Sequence, residues 1–219
     1  MHRALFKKTG TAIWISHLDL MRLFQRAFKR AGFPLKHTQG FNPRPSVSIA
    51  LPLSVGVDSC CELLDFEIEG EIPSCELILE KLNECLIEGV RVLDVYADGR
   101  KIRELSLLHC RVCLEYDQGV PEGAQEGITA LFSQASVIAP KKTKSGIQDQ
   151  DLIPMIKELS VEQGSETCLY MDALVCCQNP TLNPAQLVLA INIHLPQFKP
   201  DFSRCSRLEV YDLNRNVFR

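Results

Sequence analysis

The sequence predicts an α+β protein built as two tandem βαββαβ halves with antiparallel sheets. The halves are residues 1–100 and 101–219, and the second carries an insertion near 141–164. Two observations lead there. Apolar spacing switches repeatedly between a period of two and a period of 3.6, in the same order in each half. Gly and Pro cluster at the switches, as chain reversals require.

Residues 3–8 alternate and predict a strand, broken by Thr9-Gly10-Thr11. Ala12–Ile15 leads to Ser16, an N-cap candidate with Asp19 three residues on, the spacing of an acidic capping box. Leu20, Leu23, Phe24, Ala27, Phe28 and Ala31 then follow one helix face. Gly32 ends that helix and Pro34 prevents its resumption. Lys36–Pro45 is dense in turn formers and predicts a stiff, exposed loop.

Ser46–Leu53 and Cys61–Glu69 predict strands, the second with Asp65, Glu67 and Glu69 on one side. A helix opened by Pro73 follows, with Leu77, Ile78, Leu82 and Leu86 as its apolar residues, and then a strand at Val90–Tyr96. That order is the ferredoxin-like split βαβ unit. The remainder repeats it: strand Leu105–Tyr116, helix Glu122–Ser133, short strand Ser136–Ala139, strand Thr167–Cys176, helix Pro184–Ile193 opened by Asn183, and strand Arg207–Leu213. The basic tract Lys141–Gly146 and a short helix at Asp151–Leu159 fill the insertion.

With 46% hydrophobic residues in 219, the chain can bury a core, and global disorder is excluded. No run approaches the ~18 apolar residues of a membrane span. Charge also interrupts the first residues before any signal-like stretch, so a cytoplasmic protein is expected. Ten cysteines, mostly inside apolar runs, read as reduced, packed thiols. Cys110-x-x-Cys113 is a single knuckle without the second that structural zinc needs, and its residues point to opposite faces of a strand. No metal site is expected. No phosphate-binding glycine loop, nucleophile elbow or zinc-protease motif occurs, so no catalytic residue is assigned.

The net charge of -3 hides an asymmetry. Residues 1–50 carry nine Lys/Arg and one acid, a balance of +8, which leaves -11 for the rest. Arg22, Arg26, Lys29 and Arg30 fall within about one quadrant of the first helix, with no acid at i±4. Lys36, His37 and Arg44 follow in the loop, with Phe41 among them. Cations that track phosphates beside an aromatic that stacks on a base are what single-stranded nucleic acid requires. Gln39, Gly40, Asn42 and Pro43 complete this candidate loop. The alternative reading makes Arg22–Arg30 a solvated face and Phe41 a plug pinning the loop to the core. His17 and Asp19 are candidates for acid–base work, but residues two apart on a helix do not face each other, and capping accounts for Asp19.

Four separated motifs carry a resemblance: Lys7-Lys8-Thr9-Gly10, Ile15-Ser16-His17-Leu18-Asp19-Leu20-Met21-Arg22, Gln39-Gly40-Phe41-Asn42-Pro43-Arg44-Pro45, and Ala50-Leu51-Pro52-Leu53-Ser54-Val55-Gly56-Val57. Together they resemble the radical SAM-linked protein family, a bacterial domain of unknown function fused to, or encoded beside, a cobalamin-binding-type radical SAM protein. The resemblance is dense over residues 1–70 and thinner at Ile147–Leu159 and Arg207–Asp212. It implies a radical SAM protein as partner. The iron–sulfur cluster and S-adenosylmethionine are expected in that partner, since this chain lacks the cluster's cysteine motif. It also implies an RNA context, because family genes lie near genes for ribosomal proteins and an RNA-processing nuclease.

The expectation is therefore a non-catalytic module that binds tRNA or rRNA through the basic helix and loop and presents it to the partner. No specificity for DNA and no membrane contact are evident. The alternatives are a protein-docking subunit without RNA affinity, or a hydrolase or nuclease using His17, Asp19 and His37.

Overall fold

The computed structural model describes residues 1–143 and 146–219. It is a mixed α+β protein with mostly antiparallel sheet and four α-helices among the described residues. The chain divides into two compact units, Met1–Glu104 with Phe218–Arg219, and Leu105–Val217.

The first unit contains β1 (His2–Lys8), α1 (His17–Arg30), β2 (Val47–Ile49), β3 (Val57–Phe66), α2 (Cys75–Cys85) and β4 (Val90–Ala97). Its strands lie in the order β4-β1-β3-β2, each neighbouring pair antiparallel. The Ser16 hydroxyl accepts the Asp19 backbone N–H and caps α1, as the sequence predicts. Leu20, Phe24, Ala27 and Phe28 are buried on one face, and Gly32 leaves the helix at φ +79°. Phe24 meets Phe6 of β1, and Phe28 meets Phe66 of β3, with ring centroids 4.7 Å apart in each pair. Ser74 caps α2, which buries Ile78 and Leu82 but leaves Leu77 exposed, contrary to the sequence reading. Ser46–Leu53 forms only three residues of strand.

The acidic side expected along 61–69 is solvated only toward its end, where Glu67 is half-buried and Glu69 exposed. Asp65 is buried and accepts two hydrogen bonds from the buried Arg3, at 2.6 and 3.0 Å. The Arg3 guanidinium also lies 5.5 Å from the Phe218 ring, so the C-terminal residues cover this pair. Lys8 is buried as well and donates to the Ile15 carbonyl. Two of the nine cations in the first fifty residues therefore belong to the interior.

The second unit contains β5 (Leu107–Glu115), α3 (Ala124–Phe132), β6 (Ile138–Thr143), β7 (Gly146–Asp151), β8 (Ile156–Ser165), β9 (Cys168–Cys176), α4 (Ala185–His194) and β10 (Phe202–Tyr211). Within it the order is β10-β5-β9-β8, the order of the first unit with β8 as second strand. This corrects the insertion. Ser136–Ala139 does not supply the second strand of the repeat: β6 pairs with β7 in a separate hairpin. The predicted helix at Asp151–Leu159 does not form: a 3₁₀ turn at Ile153–Met155 leads into β8, which pairs with β9. Lys144 and Ser145 of the predicted basic tract lie outside the described residues.

Alternate residues of β5 (Leu108, Cys110, Val112, Leu114) and β9 (Leu169, Met171, Ala173, Val175) are buried, and with them Ile128 of α3 and Leu187 and Ile191 of α4. The Cys110 and Cys113 thiols thus point to opposite faces, and Cys113 Sγ lies 2.6 Å from Cys168 Sγ. None of the ten cysteines, all of them among the described residues, forms a disulfide.

Candidate nucleic-acid interface

The stretch after α1 is ordered by its backbone. Lys36 N–H donates to Glu67 O and Glu69 N–H to Pro34 O, which lays residues 34–36 along the segment after β3. Ser46 N–H then donates to Lys36 O and Thr38 N–H to Arg44 O, while Arg44 N–H donates to the Thr38 hydroxyl. Residues 36–46 are therefore a tight hairpin. Gly40, at φ +146°, supplies a turn conformation that L-residues rarely adopt. Gln39, Gly40, Asn42, Pro43 and Arg44 are exposed at its tip, and the Phe41 side chain is fully exposed at 105%. Phe41 is not a plug. Leaving such a ring in water forgoes about 1.5–3 kcal/mol of burial.

The structure brings the helix and the hairpin to one cleft. Gln25, Arg26 and Lys29 of α1 line it from one side and His37 and Pro45, at the foot of the hairpin, from the other. Phe33, Pro34 and Leu35 form its apolar wall and Glu69 its acidic edge, around a volume of about 620 Å³. That volume lies within the ~300–1,000 Å³ usual for small-ligand sites. Arg26, Lys29 and Arg44 make no ion pair or side-chain hydrogen bond among the described residues.

The other predicted cations are engaged. Arg22 pairs with Asp19 at 2.9 Å, so the helix face does contain a compensating acid, at i−3 rather than i±4. The Ser16 hydroxyl and Arg22 hold the Asp19 carboxyl below its ordinary range. Arg30 donates to the Cys85 carbonyl at the end of α2, serving an otherwise orphaned helix terminus. Lys36 lies 3.6 Å from Glu67. His17 and Asp19 are not assembled as an acid–base pair: Asp19 faces Ser16 and Arg22, and His17 Nδ1 is buried with no hydrogen-bond partner among the described residues.

Sequence reasoning missed Glu69 as a cleft residue, since it read only as one of three acids on one side of a strand. It also missed Trp14 and Leu18, which are largely exposed at the entry to α1. The cause is local: in the 3₁₀ turn over Gly10–Trp14, Ala12 is buried and Ile15 packs on the core, while Trp14 between them faces out.

A second cleft, of about 510 Å³ in the second unit, is lined by His109, Glu158, Ser160, Asp172, Tyr211 and Arg215. Its basic side chains already face acids: Arg215 pairs with Glu158, and His109 Nε2 lies 3.5 Å from Asp172. Nearby Arg111 also pairs with Asp172. An anion there would displace existing pairs, whereas the Arg26–Lys29 cleft needs no such rearrangement. Among the described residues, no three or more His, Cys, Asp or Glu side chains converge as a metal site.

A model of the family described as "uncharacterized protein conserved in bacteria (DUF2344)" matches residues 2–184. The chain belongs to the DUF2344 family. All of α1, the hairpin and the cleft fall within the region matched by the DUF2344 model. No curated protein matches the chain. Among solved structures it is similar to a chain in a crystal structure of a Cbf5-Nop10-Gar1 complex, with a TM-score of 0.53 and 8% identity over 95% of this chain and 48% of that one. The likeness is one of fold, and this chain spans about half that chain's length. A protein from Galdieria sulphuraria described as unknown aligns over 94% of this chain and 96% of its own at 13% identity, but with a TM-score of only 0.27. No helix among the described residues is long and apolar enough to cross a membrane.

Proposed function

We propose that this chain is an RNA-binding accessory module of a radical SAM system, holding an unpaired segment of tRNA or rRNA and presenting it to the partner enzyme. The observation that carries the reading is the convergence of Arg26 and Lys29 with His37 on one cleft, at the foot of a hairpin whose tip bears Phe41 and Arg44. Unpaired cations neutralise backbone phosphates at little desolvation cost, and an exposed aromatic stacks on any base for about 1–3 kcal/mol. Arg44, between Pro43 and Pro45, makes a directed contact to a phosphate or base edge. The two repeated strand orders support reading each unit as a ferredoxin-like half. The radical SAM partner, with its cluster and S-adenosylmethionine, rests on the resemblance of the motifs between Lys7 and Val57.

The test is a fluorescence-anisotropy titration of the full chain with tRNA and rRNA fragments. Wild type binds saturably, and the Arg26→Glu/Lys29→Glu variant loses binding with its thermal midpoint unchanged, because both side chains are exposed. Unaltered affinity in that variant refutes the assignment.

A protein-docking role without RNA affinity is the second reading, favoured by the exposed Trp14 and Leu18. It predicts a heterocomplex with the radical SAM protein that survives the charge reversals and is lost in Trp14→Ala.

A further inference from the structure

Resting on the RNA-binding reading above, we infer that the cleft between α1 and the hairpin is a selective pocket for one unpaired guanosine nucleotide, with Glu69 reading the base. Glu69 is an acid in the wrong company. Phosphate recognition accounts for Arg26 and Lys29, but Glu69 lines the same cleft, and an ionised carboxylate repels phosphate. Nor does Glu69 serve to neutralise those cations, since neither ion-pairs with it. Its backbone N–H donates to Pro34 O at 2.8 Å, which fixes the residue at the cleft wall.

An acceptor-only group at the edge of a cleft with apolar walls calls for a ligand that is flat, apolar on its faces and rich in donors along one edge. A nucleobase meets the first two conditions, lying against Phe33, Pro34, Leu35 and Pro45. The third separates the bases. Adenine and cytosine each place one exocyclic amine beside a ring nitrogen that is itself an acceptor, and uracil offers a single N–H between two carbonyls. Guanine alone presents two adjacent donors, N1–H and N2–H, on its Watson–Crick edge. These match the two oxygens of one carboxylate. That edge is free only in an unpaired nucleotide, so the pocket discriminates against duplex. Arg26 and Lys29 then take the flanking phosphates.

The experiment uses the full chain and eight-nucleotide RNA probes of uridine with U, G, A or C at one central position, read by anisotropy competition. Wild type binds the G-containing strand roughly tenfold more tightly than the other three, within the range expected of one bidentate base contact. Glu69→Gln, which keeps the shape but replaces one acceptor by a donor, brings the four strands close to parity. Arg26→Ala weakens all four strands alike and keeps the preference. Binding of all strands without preference for G, or a preference that survives Glu69→Gln, overturns the guanosine assignment and leaves the RNA reading standing. Absence of binding to every strand and to tRNA overturns both.

Discussion

The cations of the first quarter are unequal, and salt dependence exposes the difference. Seven lie at the surface, but Arg22, Lys36 and Arg30 already face Asp19, Glu67 and the Cys85 carbonyl. Of the candidate site's cations, Arg26, Lys29 and Arg44 remain without such partners. Each phosphate neutralised on a single strand contributes about 0.7 to the slope of log affinity against log salt, so three predict a slope near about −2. Raising salt from 50 to 200 mM then weakens binding by roughly 20-fold. Arg26→Ala/Lys29→Ala leaves one such cation, a slope of about −0.7 and a loss of only about threefold over the same range. Arg22→Ala/Lys36→Ala changes the slope little. The assay is an anisotropy titration of a single-stranded RNA at four salt concentrations. Equal slopes for the two double variants would refute the reasoning, because pairing in the free protein would then have no bearing on which cations meet phosphate.

Three further outcomes follow from the interior. Asp65→Asn strands the buried Arg3 guanidinium and lowers stability by about 3–5 kcal/mol in chemical denaturation, whereas Arg3→Met/Asp65→Leu recovers most of that loss. Gly89→Ala destabilises by at least about 2 kcal/mol, since Gly89 sits at φ +84° and a Cβ there lies 2.4 Å from the Thr9 carbonyl oxygen. Burial, together with a hydrogen bond to Cys168 in the case of Cys113, pushes the Cys113 and Cys177 thiols up to about 12. A raised thiol pKa leaves little thiolate at neutral pH and more only as pH climbs. At pH 8, alkylation monitored by mass spectrometry therefore labels exposed Cys60 well before either of them.

What the sequence made legible was local. The Ser16 cap and the 20, 24, 27, 28 face of α1 lie within one helix, and the strand alternation in β5 and β9 is read within nine residues. What it concealed depends on distant partners. Arg3 and Asp65 are 62 residues apart, so a buried ion pair looked like two surface charges. The segment 138–165 misled because β6, β7 and β8 draw their order from pairing rather than from apolar periodicity: β7 has no buried residue, and β8 buries only Val161. Its one compact apolar run, Leu152–Ile156, imitates the start of a helix and instead forms a 3₁₀ turn. The cleft was half legible. Its cations stood out in the charge asymmetry, but Glu69 comes from beyond β3, and only the pairing of residues 67–69 with 34–36 brings it there.

Photocrosslinking of single-stranded RNA to the full chain, followed by peptide mapping, tests the central claim most directly. Crosslinks are expected to concentrate in residues 25–45, at the cleft and on Phe41, and to be lost in Arg26→Glu/Lys29→Glu. Crosslinks confined to residues 105–217, or none at all under low-salt conditions, would contradict it.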